Sequence, residues 1–178
     1  MTPMIPKMAS MESLFWVLFG AMFLIVGVGY WVIWPMGTET HGRRRSLPAS
    51  VSFGVLWGAS EGVLYVALWS VLRDLVSSDW MVVAAGYLVV SVFKALWHPL
   101  FWDVRVSPIH NIESWNVTKI LVVHTPNLLV SFTFLTLYEA GGVFVLAQIV
   151  AVVGSTVFMR FPSPFDEPTM LDGTPIQA

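Results

Sequence analysis

Uncharged apolar residues run through this chain in five long stretches separated by short polar breaks. Residues 15–34 are twenty residues without a charge, and 49–72 are twenty-four in which Glu61 is the sole charged group. Residues 80–102 carry Lys94 and His98, 120–138 carry His124, and 143–159 have no ionisable side chain. A helix needs about 20 apolar residues to cross a hydrocarbon core roughly 30 Å thick. The first four stretches meet that length; the fifth is short at seventeen and follows the fourth after a brief link containing Gly141 and Gly142. Lipid offers the backbone no hydrogen-bond partner, so each stretch must satisfy its own amides. No alternating pattern of the kind a barrel needs is present. The predicted fold is all-α: a polytopic integral membrane bundle of five transmembrane helices near 15–34, 49–72, 80–102, 120–138 and 143–159.

Composition supports the same solvent. Of 178 residues, 56% are hydrophobic and 11% charged, and the mean hydropathy is +0.74; a soluble domain carries roughly a quarter charged residues. Five spans leave no room for a second domain, and no basic stripe with interleaved aromatics points to nucleic acid. The expected surroundings are a lipid bilayer. The chain has no cysteine, which excludes disulfides, thiolate metal sites and cysteine nucleophiles.

Orientation follows from the flanking cations, because cytoplasmic loops carry the excess of lysine and arginine. Arg43, Arg44 and Arg45 mark the first loop as inside. Alternation then places Arg105, Lys119 and Arg160 inside, against Lys7 and Arg73 outside. The N-terminus is therefore expected outside and the C-terminus in the cytoplasm, and the expected location is a plasma or inner membrane. Trp31, Trp34, Trp69, Trp80, Trp97, Trp102 and Trp115 stand near span ends, as an interfacial belt would place them. Residues 161–178, with four prolines, read as a disordered cytoplasmic tail. The loop 103–117 concentrates Asp103, Arg105, His110, Asn111, Glu113 and Trp115 and could fold over the bundle as a lid; its sequon at Asn116 falls on the inside.

Polar groups within the spans are costly in lipid and need a reason. At about 1.5 Å rise per residue, Glu61 lies near mid-membrane, while Lys94, His98, His124 and Asn127 fall in the cytoplasmic half. Tyr87, Ser91, Lys94 and His98 make one stripe, and His124, Asn127, Ser131 and Tyr138 a second, so both should face protein. Gly54, Gly58 and Gly62 repeat every four residues, a groove for the close approach of a packing partner helix. Glu61 stands about 60° around the helix from Gly58. Pro99 and Pro126 should each release the carbonyl four residues earlier.

Four functions fit such a set. The bland one pairs Glu61 with Lys94 to fix helix register. The sharper one is a cytoplasm-facing pocket with acid/base chemistry: Glu61, His98, Asp103 and His110 exchange protons with a lipid-like or isoprenoid-like substrate, and Lys94, His124 and Asn127 bind it. A third uses His98, Asp103, His110 and His124 as ligands of a metal or a haem, though no compact metal motif such as HExxH occurs. The fourth is a transporter or an accessory subunit of a membrane complex, with Glu61 and Lys94 as a proton relay. The desaturase histidine boxes, prenyltransferase aspartate motifs and rhomboid serine motif are all lacking. The expectation carried forward is the acid/base pocket.

Overall fold

The computed structural model describes residues 4–36, 45–97 and 117–160, with side chains from residue 11 onward. Five helices long and apolar enough to cross a membrane account for almost all of them, and the described residues include no strand. This is an all-α helical bundle of multi-pass membrane type. The first helix, α1, covers Met4–Ile25 and runs on through a π-helical stretch, Val26–Ile33. Helix α2 covers Leu47–Leu75 and α3 covers Asp79–Trp97. Helix α4 spans Val117–Tyr138 with a π-helical segment at Ile120–His124, and α5 covers Gly141–Phe158. The loop 103–117 (to residue 116), Pro99 and the tail 161–178 lie outside the described residues.

The helices close into a ring in which α1 packs on α4 and α5, α4 on α3, α3 on α2, and α2 on α5. Half of the most apolar window of α4 is buried, against 17% in each of α1, α2 and α3, so α4 is the most enclosed helix. The outward faces keep Trp16, Leu24, Leu56, Val63, Leu88 and Leu121 exposed. In water such a surface would be strongly unfavourable; against lipid tails it is neutral.

The glycine ridge decides how α2 meets α5. A Cβ built on Gly54 would stand 2.7 Å from the Val153 Cα, on Gly58 2.6 Å from the Ile149 Cα, and on Gly62 2.9 Å from the Val145 Cα. Backbone approaches backbone along three turns, a distance that only glycine permits. The groove expected from the sequence thus takes a helix of the same chain. A hydrogen bond from Thr156 Oγ1 to the Ser50 carbonyl, 2.8 Å, ties the start of α2 to the end of α5. The Arg45 guanidinium lies 5.2 Å from the Phe158 ring centre at the same end.

At the opposite end the chain turns sharply between α4 and α5. Glu139 takes the left-handed conformation, φ 53°, and donates its N–H to the Leu135 carbonyl at 2.8 Å, which caps α4 as a C-terminal left-handed residue does. Its carboxylate stands 3.7 Å from Arg73, which also pairs with Asp79.

Both π-helical segments lie at the end of the bundle that α2 enters. Pro126 has no N–H to give, and the turn before it widens so that the Thr125 N–H reaches the Ile120 carbonyl five residues back. In α1 the run Val26–Ile33 mixes glycine with β-branched valine and isoleucine, residues that gain little from α-helical bonding. There the Trp34 N–H reaches the Gly29 carbonyl, again five residues back, at 2.7 Å. The two segments touch where Gly29 faces Val123, a Cβ on the glycine standing 2.7 Å from the valine Cγ1.

Candidate functional site

A cavity of about 120 Å³ occupies the bundle at this end. Every helix contributes to its wall: Tyr30 and Trp34 from α1, Trp57, Glu61 and Tyr65 from α2, Lys94 and Trp97 from α3, His124 and Asn127 from α4, and Gln148 and Thr156 from α5. The end in question joins the C-terminal halves of α1, α3 and α5 to the N-terminal halves of α2 and α4. The sequence reading assigned the polar residues to that half.

Glu61 and Lys94 meet across it. The Lys94 Nζ donates to Glu61 Oε1, with side chains only 16% and 12% exposed. Helix geometry explains the meeting. The glycine ridge turns one face of α2 onto α5, and Glu61, three residues beyond Gly58, is rotated by about 60° from that face toward α3. An unpaired charge at this depth would be costly, and pairing removes most of that cost.

The two predicted stripes face protein over most of their length. On α4, His124, Asn127 and Ser131 are buried. Asn127 Nδ2 donates to the Tyr30 hydroxyl at 3.4 Å, and Ser131 Oγ donates to Asn127 Oδ1 at 3.2 Å. On α3, Tyr87 and Thr125 of α4 share a hydroxyl contact of 3.2 Å, and Lys94 brings the stripe to the cavity. Tyr138 also packs on protein, against Phe15 and Phe134 at the far end of the bundle, where its hydroxyl donates to the Met11 carbonyl at 2.9 Å, and it takes no part in the site. Of the residues singled out in the sequence, Glu61, Lys94, His124 and Asn127 come together here. His98, Asp103 and His110 lie outside the described residues, although His98 directly follows Trp97 of the cavity wall.

Comparison with protein families, with characterised proteins and with solved structures gives no match. The site's own chemistry is therefore the guide to its use.

Aromatic rings dominate that chemistry. Phe53 and Trp57 lie 5.6 Å apart, Trp57 and Trp97 6.0 Å, and Tyr30 stacks on Trp34 at 5.4 Å. Several tryptophans assigned to the interfacial belt thus face protein. Trp34 is buried, and Trp69 Nε1 donates to Thr136 Oγ1 at 3.1 Å. Trp31 Nε1 donates to the Val150 carbonyl at 2.8 Å, in space left by Gly154. Trp80, by contrast, is 71% exposed. A tryptophan near a span end serves either use equally well, which is why position along the chain did not separate them.

Sequence reasoning also passed over Tyr30, Tyr65 and Gln148. Gln148 is the one carboxamide in the uncharged final span, a signal of the same kind that drew attention to Asn127. Among the described residues, no three His, Asp or Glu side chains come together in a way that could hold a metal ion.

Proposed function

We propose that this protein is a membrane-embedded enzyme that performs acid/base chemistry on a lipid-like or isoprenoid-like molecule, with Glu61 and Lys94 as the proton-exchanging pair. One observation carries the reading: the buried ion pair of α2 and α3 borders a cavity walled by aromatic rings, where a purely structural pair would be sealed in packed side chains. A carboxylate and an ammonium in contact can pass a proton to and from a bound molecule without leaving net charge in the bilayer. Rings of Trp57 and Trp97 offer flat apolar surface to a greasy substrate, and His124 and Asn127 supply polar contacts at the same wall. The arginine and lysine bias of the loops turns this end of the bundle to the cytoplasm, in a plasma or inner membrane.

The test compares the lipid profile of membranes from cells lacking the protein with that of cells expressing wild type, Glu61→Gln or Lys94→Met. Wild type restores a lipid species that the deletion changes, and both variants, folded by their thermal melting in detergent, leave the profile as in the deletion. Restoration of the full profile by Glu61→Gln refutes the acid/base role.

A further inference from the structure

Two buried hydrogen-bond donors at the cavity have no acceptor among the described residues. Tyr65 is 2% exposed and Gln148 4%. The Tyr65 hydroxyl and the Gln148 Nε2 both lack a hydrogen-bond partner among the described residues, and both side chains line the cavity. A buried donor left unsatisfied is costly, and natively folded proteins contain few of them. Tyr65 and Gln148 stand on the two helices that the glycine ridge clamps together: Tyr65 lies three residues beyond Gly62, and Gln148 immediately precedes Ile149, the residue against Gly58.

We propose that the cavity binds the carbonyl end of a chain-like molecule, with the Tyr65 phenol and the Gln148 carboxamide both donating to the carbonyl oxygen. This rests on the reading of the cavity as a substrate site and names the substrate class. A carbonyl oxygen carries two lone pairs and no proton, so one atom can satisfy two donors at once. Charge narrows the choice further. Among the described residues that line the cavity, Glu61 and Lys94 are the Asp, Glu, Lys and Arg side chains present, and they pair with one another, so neither is left over to balance an added charge. A neutral acceptor is the head group that adds no uncompensated charge to the membrane interior. The size agrees: about 120 Å³ is close to the roughly 150 Å³ of an apolar cavity that accepts one benzene ring. A head group of a few heavy atoms fits, and the rest of the chain extends past the aromatic wall toward lipid.

The probe is 2-dodecanone labelled with carbon-13 at the carbonyl, titrated into the full-length protein in detergent, with dodecane as its apolar counterpart. Isotope-edited infrared spectroscopy reads the carbonyl, and calorimetry reads affinity. The expected spectrum has a bound carbonyl band below the frequency of the ketone dissolved in detergent alone. Tyr65→Phe and Gln148→Leu each return it part of the way and weaken binding by about tenfold, the usual effect of one lost hydrogen bond. Tyr65→Phe removes a single oxygen and keeps the packing, so it decides the matter if Gln148→Leu fails to fold. Ketone and dodecane binding equally well, or a carbonyl band unmoved by Tyr65→Phe, overturns the inference: the two donors then serve ordered water, while the cavity remains an apolar binding site. Binding of neither probe removes the cavity as a substrate site and takes the acid/base reading with it.

Discussion

Replacing Gly58 by alanine tests the packing on which the site depends. The added Cβ would stand 2.6 Å from the Ile149 Cα, 2.9 Å from the Gln148 carbonyl oxygen and 3.0 Å from the Ile149 nitrogen. All three are backbone atoms of α5, so no side chain can swing aside. To reach 3.4 Å, where ordinary contact begins, the two helices must part by about 0.8 Å. Overpacking of this kind costs about 1–3 kcal/mol. The same movement stretches the 2.8 Å bond from Thr156 to Ser50 beyond useful length, at about 1 kcal/mol more. The expected loss is therefore about 2–4 kcal/mol, read from unfolding in mixed micelles by tryptophan fluorescence. Gly20→Ala is the control, because nothing lies within 4 Å of its Cβ, and alanine is the better helix former by up to ~1 kcal/mol. If Gly58→Ala unfolds no more readily than Gly20→Ala, the close approach of α2 and α5 does not hold the bundle together, and the reasoning fails.

The Glu61 and Lys94 pair makes a second prediction, about stability alone. Lys94→Leu or Glu61→Leu singly strands a charge in the bundle and should cost about 3–5 kcal/mol, whereas the double Leu variant recovers most of that loss; additive losses in the same unfolding assay would show that the side chains do not interact. Gly154→Ala puts a Cβ 1.9 Å from the Trp31 ring, so the indole must move and give up its 2.8 Å bond to the Val150 carbonyl. The expected readout is a changed tryptophan emission maximum with a loss of about 1–2 kcal/mol, and an emission spectrum identical to wild type speaks against that contact.

Length and hydropathy determined the class of this protein without help from coordinates. A charge-free run of twenty residues can satisfy its amides in lipid only as a helix, and the described parts of the five runs lie almost wholly in α1 to α5. Helix α1 begins at Met4, ahead of the charge-free run at 15–34. Helical spacing also decided which polar residues share a face, so Glu61, Lys94, His124 and Asn127 were legible as a group, and the glycine ridge as a packing face. Periodicity describes one helix at a time, however, and says nothing about which helix stands opposite. Only the tertiary structure made α5 the partner of Gly54, Gly58 and Gly62, selected the pairing of Glu61 with Lys94 that the sequence offered as one of several arrangements, and separated tryptophans that line the cavity from those exposed on the outer surface. It alone showed the two widened turns meeting at Gly29 and Val123, because a π-helical turn leaves the order of residues unchanged. It alone left Tyr65 and Gln148 as donors without acceptors among the described residues, since the satisfaction of a buried group depends on neighbours drawn from distant parts of the chain.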